Sequence, residues 1–459
     1  MMTVSEVVMD AEPEGICRVK ASHNLNAVAV KFDEDNLVPN AGLVAPAALA
    51  QRLGIGRAVD RRVRLDRDRP GAAHCGAKAL TVIGAMLAGG DSIDDVDVLR
   101  AGAAPELFDD TRAPSTIGTW LRAFRWSNVR ELDAVCRETL RAAWAAGLGP
   151  ADLSAPLTID VDSTVCQAYG INKQGCRFGY TKVRGYHPLL ATVASTGEVA
   201  HVRMRGGNAG SARGAKSFVA EAISRVRDAG ATGPLTLRAD AAFYSKGVLW
   251  ACRKAGVRFS VTVKLNTSIR KAIDAIPESA WTPIPYWIDG GADVAEVPYT
   301  CFSGRHKIDV RLIVRRVRPT PGSQLALDVV FDYHALVTDR DGATLTLEAD
   351  HRAHAQVELV IRDLKDGPLA HLPSGRFAAN AAWLALAALA HNLGRWTLTA
   401  AGPDFDTATV GSLRRKLITM PARLVGSGRR RWLRAPTHWP WRRGLQHAMT
   451  VIAAIPAPG

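Results

Sequence analysis

The chain has 459 residues, 47% of them hydrophobic and 22% charged, which is room for two or three domains and a sizeable core. It has no run of about eighteen apolar residues, and its N-terminus, MMTVSEVVMDAEPEG, is acidic; neither a membrane span nor a signal peptide is expected, and the protein is placed in the cytoplasm. Seven cysteines, scattered, odd in number and without a CxxC, read as reduced thiols rather than a disulfide frame or a zinc site.

The net charge of +14 is unevenly spread. Ten Lys or Arg lie between Gly411 and Arg443, no acid follows Asp406, and Trp432, Trp439 and Trp441 are interleaved with the cations. Basic residues among aromatics suit a polyanion such as DNA; a solubilising tail is the plainer alternative.

In chain order, residues 1–150 read as a mostly helical region with one short extended stretch, NAVAVKFDED. ALAQRLGIG is a short helix closed by Gly, and CGAKALTVIGAMLAGG an apolar helix ending in Gly-Gly. APSTIGTWLRAF and SNVRELDAVCRETLRAAWAAG follow as amphipathic helices across a short turn, a pairing that suits either a helix-turn-helix or simple packing. From Pro156 the pattern changes. LTIDVDSTV, HPLLATVAST and GEVAHVRMR read as strands, 211–229 as a helix, PLTLRADA as a strand, SKGVLWACRKAG as a helix and VRFSVTVKL as a strand. This order predicts an α/β fold with a mixed sheet over 151–275 and 348–400, interrupted at 276–347 by an all-β insertion. A buried helix is expected at 376–398, and 401–459 is the basic C-terminal segment.

The strand LTIDVDSTV places Asp160 and Asp162 on one face. PLTLRAD likewise ends in an acid, with Thr236, Arg238 and Asp240 on one face. Two neighbouring strands ending in carboxylates repel each other unless a divalent cation uses both as oxygen ligands. A third element supplies more: on one continuous helix, HRAHAQVELVIRDLK sets His351, His354, Glu358 and Lys365 within an arc of about 60°. Alone, that stripe is an ordinary solvated face. Beside the two aspartates it completes a set of three carboxylates and adds a lysine suited to phosphate.

These residues resemble the ribonuclease H-like core of DDE transposases from bacterial insertion sequences. The resemblance covers roughly 80–420 and includes GYHPLL, MRGGNAGSARGA, LRADAAF and LRRKLITMPARLV. In the group with an insertion before the Glu, the helix signature is Tyr, two residues, Arg, three residues, Glu, six residues, Lys. Here His351, His354, Glu358 and Lys365 keep the spacing but put His at the first two positions; Arg352 is the candidate for the missing guanidinium. The resemblance implies a transposase acting on the ends of its mobile element, working as a dimer on double-stranded DNA. It implies catalysis by two Mg²⁺ (or Mn²⁺) ions held by Asp162, Asp240 and Glu358, with Asp162 bridging them. Asp162 is preferred because a Ser-Thr pair follows it, and Asp160, one pleat deeper, is expected to be held by a backbone or Arg238 bond. Expected DNA contacts are Lys365 with His351, His354 or Arg352, then Arg205 and Arg213 of the Gly-rich loop, and Arg430 and Arg431. His187 reads as a structural histidine. The competing readings are a hydrolytic metallonuclease without strand transfer and a catalytically inactive DNA-binding relic.

Overall fold

The computed structural model describes residues 28–66, 68–108, 110–285, 291–318, 331–427 and 430–457. The acidic N-terminal stretch, Cys17, part of the strand after residue 324, and Arg429 lie outside the described residues. The chain begins with strand β1 (Leu37–Val38) and helices α1 (Val44–Arg52), α2 (Ile55–Arg62), α3 (Cys75–Ala88), α4 (Ala104–Leu107), α5 (Pro114–Ala123) and α6 (Trp126–Ala145). Gly89, at φ 116°, closes α3 by turning its amide back to the Ala85 and Met86 carbonyls. Residues 28–35, expected to be extended, are exposed coil, with Phe32 99% exposed. Alternating apolar residues make a strand only where another strand completes the ladder, and here pairing starts at Leu37.

Strand β2 (Leu157–Ser163) opens the central sheet. A small subsheet follows, β3 (Cys166–Gln167), β4 (Arg177–Phe178) and β5 (Arg184–Tyr186), and then β6 (Leu189–Val193) and β7 (Val199–Arg203). The chain continues as α7 (Ala215–Asp228), β8 (Leu235–Ala239), α8 (Lys246–Lys254), β9 (Arg258–Val263) and α9 (Thr267–Asp274). Four further strands come next: β10 (Thr282–Ile284), β11 (Ala292–Cys301), β12 (Ile308–Val317) and β13 (Asp332–Thr338). The sheet runs β10-β11-β12-β13-β9-β8-β2-β6-β7, with β2, β8 and β9 parallel and the other pairs antiparallel. The α/β class with a mixed sheet is as expected. The strands expected as an insertion continue the same sheet: β13 pairs with β9, Ala335 opposite Val263 and Thr338 opposite Ser260. That pairing covers the ladder edge that β9 would otherwise expose.

The C-terminal part contains α10 (Thr344–Arg352), α11 (Ala355–Lys365), α12 (Phe377–Ala401), α13 (Val410–Leu413), β14 (Ala422–Ser427), β15 (Arg430–Arg434) and α14 (Arg442–Ala454). Helix α12 is buried nearly all round, packing on α3, α6, α14 and β7. The basic segment folds back over the N-terminal helices. Leu37 of β1 pairs with Arg423 of β14, and α14 buries Leu445, Ala448 and Ile452 while packing on α1 and α12. Its cations stay outside: Arg430, Arg431 and Arg434 on β15 are exposed.

Candidate active site

Strands β2 and β8 run parallel with Asp160 opposite Arg238 and Val161 opposite Ala239, so the next positions along are Asp162 and Asp240. Both acids lie toward the same end of the sheet, Asp162 still paired with Leu190 of β6 and Asp240 just past the end of β8. One Asp162 oxygen accepts the Ser163 amide at 2.6 Å. Asp240 caps a single 3₁₀ turn, accepting the Ala242 amide at 3.1 Å. Glu358 stands in the first turn of α11, where the helix dipole favours a carboxylate, and α11 lies against β2. Asp162, Ser163, Thr164, Glu358, Arg362 and Lys365 line one open cleft of about 360 Å³.

Burial raises the Asp162 carboxyl to about 7, with the negative charges of Asp240, Glu358 and Asp160 adding to the rise and the Ser163 amide opposing it. Burial also raises Asp240, against the Ala242 amide and the charges of His354 and Lys264. Acids so placed are under charge repulsion, the condition a divalent cation relieves, and hard oxygen donors suit Mg²⁺. The oxygens of Asp162, Asp240 and Glu358 do not all come within 4.8 Å of one another.

Asp160 is fully buried and paired as the sequence suggested: Arg238 Nε and Nη2 donate to its two oxygens at 2.6 and 2.8 Å. The same guanidinium donates to the backbone carbonyls of Asp350 and Ala353. Those carbonyls belong to the last turn of α10, whose terminal acceptors need partners. The single helix expected over 350–366 is therefore two, broken at Ala353–His354. The break corrects the stripe of four. Glu358 and Lys365 share α11 and the cleft, whereas His351 lies on α10, half-buried, with its ring nitrogens at the Ser260 and Thr262 hydroxyls at 2.8 and 2.9 Å. Burial drives its pKa down to about 3, so this imidazole is neutral.

His354, half-buried, points Nε2 at the Val161 carbonyl at 3.3 Å and its charge acts on Asp240. Arg352 pairs with Glu348 at 2.9 Å. Arg205 is buried, and its guanidinium donates to the carbonyls of His187, Gly210, Ser211 and Arg213, so it shapes the Gly-rich loop from within. The Arg213 side chain is exposed, as are Arg430 and Arg431; Arg431 also donates to the Glu106 carbonyl at 2.7 Å.

A chain of three side chains beneath Asp162 was not read from the sequence. His187 Nδ1 donates to the Ala209 carbonyl at 2.7 Å, which leaves Nε2 to accept the Ser163 hydroxyl at 3.0 Å. Ser163 in turn accepts from Ser211 at 3.0 Å. Only the His-Pro at a strand entrance hinted at it.

A second acidic group lies elsewhere. Among the described residues, Asp133, His201 and Glu221 bring three ligand atoms within 4.8 Å. Arg225 already donates to Asp133 at 2.5 Å and Arg203 to Glu221 at 2.6 Å, so this is a charge-matched network joining α6, β7 and α7.

The fold and the site point to a DDE transposase, and the family model for the transposase DDE domain, group 1, matches residues 20–457. The chain belongs to that family. No curated protein matches the chain by sequence. Among solved structures, the cryo-EM structure of a piggyBac transposase synaptic complex with hairpin DNA is similar over 90% of this chain and 80% of that one, at 11% identity and a TM-score of 0.45.

Proposed function

We propose that this chain is an active transposase that cleaves the DNA ends of its mobile element and joins them to a target. The observation that supports this best is that Asp162 and Glu358 line one cleft with Lys365, while Asp240, at the end of the parallel neighbouring strand, adds its charge to that of Glu358 on Asp162. The strand order β7-β6-β2-β8-β9 is read as a ribonuclease H-like core with β10 to β13 as its insertion. Asp162, Asp240 and Glu358 would hold the divalent metal, Mg²⁺ or Mn²⁺. Bound there, it supplies an activated oxygen nucleophile and neutralises the leaving oxygen.

The chain's own residues do the rest. Lys365, exposed in the cleft, offers its ammonium to a non-bridging phosphate oxygen near the cut bond. His354 sets its ring against the Val161 carbonyl of β2, and the Arg238 clamp ties β2 to the start of α11. The His187–Ser163–Ser211 chain holds the backbone that follows Asp162. Positioning and charge are enough for phosphoryl transfer, so no covalent enzyme intermediate is required. The helical N-terminal region and the folded basic segment, with Arg213, Arg430 and Arg431, are read as the surface for double-stranded DNA, bound by a homodimer in the bacterial cytoplasm. Among the described residues no helix is long and apolar enough to cross a membrane.

Incubating the protein with element-end DNA, a target plasmid and Mg²⁺ tests this. Joined products are expected; cutting without joining or end preference indicates a hydrolytic nuclease, and end binding without cutting an inactive relic.

A further inference from the structure

Between Asp162 and Glu198 the chain contains no acid, yet it carries Lys173, Arg177, Lys182 and Arg184. This stretch forms the subsheet β3-β5-β4, which leaves the central sheet at Thr164 and returns at His187. Its outer part is strongly apolar for a surface. Tyr169 is 66% exposed, Ile171 90%, Phe178 65% and Tyr180 76%, a third of all the large exposed apolar side chains among the described residues, within twelve positions.

The base of this projection is braced while its tip is bare. Lys173 Nζ donates to the Leu372 carbonyl at 2.6 Å, and the Gln174 amide to Gly375 at 2.9 Å. The Tyr186 hydroxyl donates to the Gln174 carbonyl at 2.8 Å and accepts from Asn380 at 3.1 Å. Arg184 spans the projection by donating to the carbonyls of Gly170 and Ile171. The base is also part of the active-site floor. Ser163 and Thr164 line the cleft, His187 bonds Ser163, and the Tyr180 ring lies 5.8 Å from the His187 ring.

We propose that this projection is a stacking platform for unpaired bases of the DNA strand next to the cleavage site. Aromatic side chains on a rigid base, flanked by cations and free of acids, offer what an unstacked nucleotide needs: a π-face for the base and positive charge for its phosphate. The exposed Arg177 and Lys182 supply the charge nearest the Phe178 and Tyr180 rings in sequence. Charge complementarity selects DNA as occupant over a second copy of this net-basic chain. The inference rests on the proposed reaction, because a strand opened at the cut is what presents such bases.

The test uses the full chain and two fluorescent duplexes of one sequence, one blunt and one with three unpaired nucleotides at an end, at fixed salt. The wild type is expected to bind the frayed duplex at least about tenfold more tightly, given ~1–3 kcal/mol for each stacked base. Phe178→Ala with Tyr180→Ala is expected to remove that preference while blunt-duplex binding and the thermal melt stay unchanged. Phe178→Trp should retain it. Equal affinity of the wild type for both duplexes, or a preference that survives the double substitution, overturns the platform and leaves the transposase reading standing. Loss of self-association in the double variant with the preference intact makes the surface a contact between copies and overturns it too. No binding to either duplex sinks both readings.

Discussion

Asp162 keeps a carboxylate where its charge is disfavoured, and that fixes how it responds to pH. Its folded pKa of about 7 lies well above the ordinary aspartate value of 3.8, so without metal the folded state prefers the protonated acid. Folding stability therefore falls as pH rises from about 4 to about 7, and the loss is complete above that. In chelator at pH 8, Asp162→Asn is expected to raise the melting temperature by at least about 2 °C, with little change at pH 4. The same linkage gives a second expectation: the apparent Mg²⁺ affinity drops about tenfold per pH unit below 7, as ligand and proton compete. Asp162→Ala should abolish cleavage and leave DNA binding intact; normal cleavage by that variant moves the role to Asp160. His187→Ala removes the acceptor for the Ser163 hydroxyl and is expected to cost about 1–3 kcal/mol, read by denaturant melts.

At the scale of elements, Arg238 joins β8 to β2 through Asp160 and both to the α10–α11 break. Arg238→Met leaves a buried carboxylate unpaired and is expected to destabilise the fold by roughly 3–5 kcal/mol. Adding Asp160→Leu should recover much of that stability but not cleavage, since the carbonyls of Asp350 and Ala353 stay unsatisfied and Glu358 loses its support. Recovered cleavage in the double variant would show that the clamp does not position Glu358. This element also marks where sequence reading ends. The parallel strands with terminal acids were legible because alternation and the two Asp positions lie within short windows. The helix break was not, because the guanidinium that caps the carbonyls there comes from a strand more than a hundred residues away. For the same reason His351 looked like a cleft residue by period alone, while Ser260 and Thr262 bind it on the far side of the break.

Over the whole molecule, α12 is the shared wall on which the N-terminal helices, the sheet edge at β7 and α14 all pack. The charge of the C-terminal segment was plain in the sequence, but its place was not, since a run of cations does not say which surface receives Leu445, Ala448 and Ile452. Removing residues 442–459 strips those side chains from α1 and α12, at about 1.5–3 kcal/mol for each large one. The truncated chain should melt earlier and be cut by protease within α1 as well as near its new end; an unchanged melt would show the segment to be a mere appendage. Strands β11 to β13 follow the same logic: alternation announced them, and only the open edge of β9 decided where they sit.

Metal binding by Asp162, Asp240 and Glu358 is read directly from an anomalous difference map of the DNA-bound protein crystallised with Mn²⁺. Density between Asp162, Asp240 and Glu358, lost in the Glu358→Gln variant or reduced to one peak, is the predicted result. Density at Asp133, His201 and Glu221 with none in the Asp162 cleft would contradict it.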